Sequence, residues 1–85
     1  MRLVFSDAAW EDYLFWQQQD KKVLRRVNEL IKAVRRDPFA GIGKPEGLRG
    51  NLSGYWSRRI TTEHRMVYRV DRDDFLIAAL RYHYR

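Results

Sequence analysis

Two amphipathic segments joined by a very short turn constrain the fold of this sequence more than any other feature. Ser6 and Asp20 are good helix N-caps, and the segments after them predict helices from Asp7 to Gln18 and from Lys21 to Arg36. Pro38 ends the second helix, because proline disfavours helix at the residue before it. A turn this short predicts an antiparallel helical hairpin. The second helix carries a clean apolar stripe: Val23, Val27, Leu30, Ile31 and Val34.

The first helix has a less regular apolar face. Helical spacing predicts that Glu11 and Asp12 lie away from this face. Phe15 falls off the stripe, and we interpret it as the border of a wide apolar face, with an exposed contact for a partner as the alternative. The residues predicted to share the face are Ala9, Trp10, Tyr13, Leu14 and Gln17.

The rest of the sequence predicts strands and one loop. A short strand, Leu3 to Phe5, precedes the helices, and residues 39 to 54 form a glycine-rich loop. The segment from Phe75 is apolar at both parities, which predicts a central strand covered on both faces. The order β-α-α-β-β-β predicts one α+β domain, residues 1–85, with the helical hairpin packed on a small, mostly antiparallel sheet. The three later strands are predicted at Tyr55–Thr61, His64–Val70 and Phe75–Tyr84.

Charge and composition narrow the function. The formal net charge of +6 favours a polyanionic partner such as nucleic acid, although a basic surface with no partner is the alternative. The absence of cysteine excludes disulfide bonds and thiolate metal sites. No segment approaches the roughly 20 apolar residues of a membrane span. We therefore expect a cytoplasmic protein that does not enter a membrane.

A sparse set of ionisable residues in this basic setting suits metal-free RNA cleavage. That reaction needs a base for the 2′-hydroxyl, an acid for the leaving 5′-oxygen and fixed cations for the phosphorane. Glu46 in the loop is a candidate base, and His83 is a candidate acid. Arg65 is the candidate charge stabiliser, because its planar fork suits phosphate oxygens. Local charges leave open whether Glu46 or His83 is the base, and a solvated glutamate and a packing histidine are the alternatives.

Two consecutive arginines, Arg58 and Arg59, lie on the predicted second strand of the chain. We interpret the pair as a solvated strand face. Arg81, His83 and Tyr84 are expected at the end of the last strand, close enough to the neighbouring strands for residues distant in sequence to converge.

Five stretches form a specific combination, and over nearly its whole length the chain resembles the YoeB (Txe) branch of the RelE toxin superfamily. The resemblance implies a RelE-like fold and a ribosome-dependent mRNA endonuclease of a type II toxin–antitoxin pair. Such proteins enter the ribosomal A site and cut the codon there without a metal or cofactor. The stretches are Asn28-Glu29-Leu30-Ile31-Lys32, Gly43-Lys44-Pro45-Glu46, Asn51-Leu52-Ser53-Gly54-Tyr55-Trp56-Ser57-Arg58-Arg59-Ile60, Glu63-His64-Arg65-Met66-Val67-Tyr68 and Arg81-Tyr82-His83-Tyr84.

The resemblance also implies roles for individual residues. Glu46 falls on the general base, His83 on the general acid and Arg65 on the group that stabilises the transition state. Tyr84 falls on the residue that orients the substrate or stacks on it. The positions that contact RNA phosphates are matched by Lys44, Arg49 and Arg59. Two departures stand out: position 49 is arginine where lysine is expected, and the chain continues past Tyr84 to Arg85.

The partners implied by the resemblance are mRNA in the A site and ribosomal RNA, the latter against the basic face of the second helix. A cognate YefM-like antitoxin is also implied, with a disordered tail that folds onto the toxin, and family members form homodimers. Three alternatives share the fold: a toxin that poisons DNA gyrase, a non-catalytic RNA- or ribosome-binding module, and an inactive toxin kept as a co-repressor with its antitoxin. The set of Glu46, Arg65 and His83 argues against the first.

Overall fold

A computed structural model of the chain describes residues 1 to 82; His83, Tyr84 and Arg85 lie outside the described residues. Two helices pack on one five-stranded sheet, with a short 3-10 helix at Gly50–Leu52. No helix in the described part of the chain is long and apolar enough to cross a membrane. The elements are β1 (Arg2–Phe5), α1 (Asp7–Gln19), α2 (Lys21–Arg36), β2 (Glu46–Gly47), β3 (Trp56–Arg59), β4 (Arg65–Asp71) and β5 (Asp74–Ala79).

Side-chain caps define the helical hairpin, as the sequence predicts. The Ser6 hydroxyl accepts a hydrogen bond from the Ala9 amide at 3.0 Å. Asp20 acts on both helices, since its backbone N–H donates to the Trp16 carbonyl while its carboxylate accepts from the first turn of α2. Both predicted helices are confirmed, and α1 runs one residue further than expected.

The sheet has the strand order β1-β5-β4-β3-β2. β1 pairs with β5 in parallel, and the other neighbours pair antiparallel. The central position predicted for this strand is confirmed, since β5 lies between β1 and β4, but the predicted cover on both faces is not found: Phe75 and Ile77 are buried on the helix side, whereas the alternating Leu76 is only half-buried. The stripe of α2 packs on this sheet, and the α+β class is confirmed. The core includes Val27, Leu30, Ile31, Val34, Met66, Tyr68, Phe75 and Ile77.

The face of α1 was predicted only in part. Trp10 is 47% exposed and Gln17 is exposed, whereas Trp16 is buried and donates its indole N–H to the Leu80 carbonyl at 2.9 Å. Asp12, expected to point away, accepts a hydrogen bond from the Leu80 amide at 3.0 Å. Trp16 and Asp12 of α1 therefore both bind the backbone of Leu80 after β5. The buried face of α1 includes them and differs from the face predicted by helical spacing. Phe15 borders the core, as the wide-face interpretation predicts.

The strand boundaries also differ from the prediction. The expected loop contains a two-residue strand, β2, which adds a fifth strand at the sheet edge. β5 ends at Ala79 and not at Tyr84, so Arg81 is not in a strand. Tyr82 has a φ of 61°, in the left-handed region, which is incompatible with a continuing strand.

The solvated interpretation of Arg58 is wrong, because this side chain is fully buried. Its guanidinium donates to the carbonyls of Asp37, Ala40 and Ile42 at 2.7, 2.8 and 3.0 Å, and to the Tyr68 hydroxyl at 3.1 Å. That hydroxyl in turn donates to a carbonyl of the same segment, and burial raises the pKa of Tyr68 above its ordinary value of 10.0. Arg58 thus holds the chain that leads from α2 to β2.

Candidate active site

The sheet face turned away from the helices carries three of the predicted site residues. On β4, Met66 and Tyr68 enter the core under the helices, so the alternating Arg65 points to the opposite face. Directly paired residues share a face, and Arg65 pairs with Arg59. The pairings Glu46↔Ser57 and Ser57↔Val67 place Glu46 on that same face. We call this surface, defined by Glu46, Arg59 and Arg65, the open face.

Sheet spacing sets the distance across the open face. Glu46 and Arg65 are separated by two strand spacings and two residues along the strand, which is roughly 12 Å between Cα atoms. Glutamate and arginine side chains of ordinary length can reach a phosphodiester held between these positions. The prediction that these strands are neighbours is confirmed for β3 and β4, and β2 brings the loop residue beside them.

Arg59 and Arg65 lie directly opposite each other on neighbouring strands. Like charges in such a pair destabilise a sheet. Within residues 1–82 the salt bridges are Arg2–Asp74, His64–Glu63 and Arg69–Asp71, so neither of these two arginines is paired with a carboxylate there. Two opposed guanidinium groups without a protein anion suit an anionic ligand.

Arg65 is held in place and still offers donors. Its side chain is half-buried, and its Nη1 donates to the Thr61 carbonyl at 3.2 Å. A guanidinium has five N–H donors, and this bond engages one of them. A single anchoring bond restricts the side chain while the remaining donors keep the planar fork that phosphate oxygens accept.

The glycine-rich loop is packed against α2 and β3 on one side. The Arg59 amide donates to the Gly43 carbonyl at 2.6 Å. Gly43 has a φ of 85°, and an added Cβ would lie 2.7 Å from Leu30 Cδ2. Only glycine fits here, and this close packing fixes where the next residues emerge. Lys44 and Glu46 follow as exposed side chains, and Arg49 is exposed just before the 3-10 helix.

The C-terminal segment is anchored beside Arg65. The Tyr82 carbonyl accepts from the Arg65 amide at 3.1 Å, and the Tyr82 amide donates to His64 Nδ1 at 2.7 Å. Arg81 places its guanidinium 3.7 Å from the centre of the Phe15 ring. The expected convergence of the C-terminus with Arg65 is therefore present at residue 82. His83 and Tyr84 lie outside the described residues.

Sequence reasoning did not single out His64. Its side chain is only 12% exposed, and its ring packs edge-on against Trp16 with 4.8 Å between the ring centroids. A histidine immediately before the candidate charge stabiliser was the available signal. Among residues 1–82, no group of three or more His, Cys, Asp or Glu residues could hold a metal ion.

The fold and the charged open face define the class of small RelE-fold toxins. A model of the family described as the YoeB-like toxin of bacterial type II toxin–antitoxin systems matches residues 5–84, and the chain belongs to this family. Toxin YoeB of Escherichia coli K12 is 61% identical over 84 residues, which are 99% of this chain and 100% of that one. The family resemblance inferred from the sequence is confirmed.

Solved structures agree with this assignment. A YoeB/ParE toxin from Agrobacterium tumefaciens superposes with a TM-score of 0.95 at 48% identity, covering 99% of this chain and 100% of that chain. A YoeB dimer from Staphylococcus aureus superposes with a TM-score of 0.92 at 50% identity, covering 99% of this chain and 98% of that chain. The toxin of a heterotetrameric YoeB–YefM toxin–antitoxin complex from the same organism superposes with a TM-score of 0.91 at 50% identity and with the same coverage of both chains.

Proposed function

We propose that this toxin is a ribosome-dependent endoribonuclease that cleaves mRNA in the ribosomal A site. The observation that carries the proposal is the open face, where Arg59 lies directly opposite Arg65 and Glu46 lies on the same side of the sheet. A carboxylate beside two cations that have no protein counter-charge in the described chain suits acid–base chemistry at a phosphodiester. Membership of a toxin family supports mRNA under translation as the target, because cells stop growing when mRNA is cut.

In the proposed reaction, Glu46 takes the proton of the 2′-hydroxyl, and the 2′-oxygen attacks the adjacent phosphorus. Arg65 stabilises the extra negative charge of the phosphorane. The bond from phosphorus to the 5′-oxygen breaks, and His83 gives that oxygen a proton. The products are a 2′,3′-cyclic phosphate and a 5′-hydroxyl, and no metal ion or cofactor takes part.

The position of His83 in the chain supports its proposed role. It is bonded to Tyr82, whose carbonyl accepts from the Arg65 amide. The described chain therefore ends, at Tyr82, beside the backbone of Arg65. Tyr84 is proposed to orient the substrate or to stack on a base, since stacking on an aromatic ring holds bases without regard to sequence.

Exposed cations extend the proposed RNA contact beyond the reacting phosphate. Lys44, Arg49 and Arg59 are exposed and are proposed to bind substrate phosphates. Lys44 and Arg49 flank β2 in the chain, and Arg59 lies on the open face. The outer face of α2 is proposed to contact ribosomal RNA. Its basic residues are Lys22, Arg25, Arg26, Lys32 and Arg36.

We also propose a YefM-like antitoxin as the protein partner. Two solved structures from Staphylococcus aureus, each 50% identical to this chain, are a YoeB–YefM heterotetramer and a YoeB dimer. A net charge of +6 suits an acidic tail that folds onto this surface, and a homodimer is proposed on the same ground of relationship.

Toeprinting of translating ribosomes with the purified protein tests the proposed chemistry. Wild type should give A-site cuts, and Glu46→Ala and His83→Ala should each lower the cutting rate by about 10²–10⁴-fold. Glu11→Gln is the matched control, because Glu11 is an exposed acid on α1 outside the site. Unchanged cutting in both site variants would overturn the residue assignment. Ribosome binding by wild type without any cutting would instead favour a non-catalytic module or a co-repressor.

A further inference from the structure

The second histidine of the chain, His64, holds the backbone of the C-terminal segment. Its Nδ1 accepts a 2.7 Å hydrogen bond from the Tyr82 amide. The ring is fixed from the other side by the edge-on contact with Trp16, and Trp16 itself binds the Leu80 carbonyl. A nearly buried imidazole therefore acts as a hydrogen-bond acceptor for a residue 18 positions away in sequence.

The residue that His64 holds has an unfavourable backbone conformation. Tyr82 has a φ of 61°, in the left-handed region that the Cβ of a non-glycine residue disfavours. Such conformations persist where surrounding contacts over-determine them. Here two consecutive residues at the start of β4 supply those contacts: His64, just before the strand, accepts from the Tyr82 amide, and the amide of Arg65, its first residue, donates to the Tyr82 carbonyl.

The geometry also assigns the imidazole proton. The Tyr82 amide is a donor, so Nδ1 has to offer its lone pair and the ring proton lies on Nε2. Nε2 lies 3.6 Å from a carboxylate oxygen of Glu63. This hydrogen bond requires an acceptor at the position of Nδ1. An apolar side chain, or a polar side chain whose acceptor lies elsewhere, could pack in the same space but could not make the bond.

We propose that His64 is a positioning residue for the cleavage reaction: its Nδ1 fixes the left-handed turn at Tyr82, the residue that precedes His83 in the sequence. The inference rests on the proposed function, in which His83 is the general acid. His64 does not touch substrate in this arrangement. It acts through the N–H of Tyr82, whereas the Arg65 amide holds the carbonyl of Tyr82.

Two substitutions of His64 by residues with side-chain amides of different length distinguish a positioning role from a packing role. In His64→Asn the side-chain oxygen can take the place of Nδ1, whereas the longer side chain of His64→Gln places its polar atoms near Nε2. In single-turnover cleavage on ribosomes, His64→Gln should be slower than wild type by about 100-fold, as expected for a misplaced reacting group. His64→Asn should recover most of that rate. Affinity for ribosomes should change little in either variant.

Amide hydrogen exchange of the free protein gives a readout independent of cleavage. The Tyr82 amide should be protected in wild type and in His64→Asn, and should exchange at least tenfold faster in His64→Gln. Equal rates of cutting in the two variants, whether both fast or both slow, would overturn the proposal. If wild type does not cut mRNA, the proposed function fails, while the exchange comparison still decides whether His64 anchors Tyr82.

Discussion

Arg58 and Arg59 are adjacent in the chain, and strand geometry sends them to opposite faces of β3. Arg58 enters the core and donates to three backbone carbonyls and a tyrosine hydroxyl. Arg59 stays exposed on the open face opposite Arg65. The same residue type thus organises the loop at position 58 and stays exposed at position 59, where we propose that it binds phosphate.

Replacing Arg58 tests its structural role. Arg58→Met should lower the free energy of unfolding by about 3 kcal/mol, because it removes the hydrogen bonds of a buried guanidinium to partly buried carbonyls and each hydrogen bond to a charged group is worth roughly 1.5–3 kcal/mol. Urea denaturation of purified protein measures the change. Arg59→Met is the matched control and should leave stability nearly unchanged. Equal losses in the two variants would contradict the assignment of Arg58 as the buried member.

The residue pattern could not separate these two arginines, and only the family resemblance singled out Arg59. Their roles depend on the register between β3 and β4, and on carbonyls that reach Arg58 from the segment between α2 and β2. Glu46 and Arg65 were found from the chemistry they could perform, although their common face also depends on the pairing of β2 with β3. The roles of Glu46, Arg65, His83 and Tyr84 stay predictions.

At the scale of elements, the helices were predictable because their signals are local. Asp20 ends α1 with its backbone N–H and begins α2 with its carboxylate, and both signals lie within four residues of it. The apolar stripe of α2 is likewise contained in its own sequence. The end of β5 was not predictable in this way, since Trp16 and Asp12 of α1 bind the backbone of Leu80 across the fold.

Removal of the Asp20 cap should destabilise the helical hairpin. Asp20→Ala leaves the amides of Lys22 and Val23 without an acceptor and should cost about 1 kcal/mol, the usual effect of losing an N-cap side chain. Asp20→Asn keeps a side-chain oxygen and should retain most of the stability. Thermal unfolding followed by circular dichroism provides the comparison. A loss in the asparagine variant as large as that in the alanine variant would show that charge and not capping is the cause.

At the scale of the whole molecule, strand order decides which residues meet. The order β2-β3-β4 at one end of the sheet places Glu46, Arg59 and Arg65 on three neighbouring strands. The return of the chain from β5 then brings Tyr82 to the Arg65 amide. Element order predicted the α+β class, but the two-residue β2 gave no periodic signal. Which residues share the open face could therefore be determined only from the pairing of the strands in the structure.

Because binding to the ribosome is proposed to rest on many dispersed cations, affinity for ribosomes and the rate of mRNA cleavage should depend on different residues. Basic residues are spread over α2, the loop and the open face, so His83→Ala should lower the cleavage rate by about 10²–10⁴-fold while leaving affinity for intact ribosomes nearly unchanged. Arg59→Met should weaken binding and reduce the slope of log affinity against log salt by about one. Equilibrium binding of fluorescently labelled protein to ribosomes, measured across a salt series with magnesium held constant, tests both. A loss of affinity in His83→Ala comparable to its loss of rate would contradict the separation, since binding would then depend on the same residue as the chemistry.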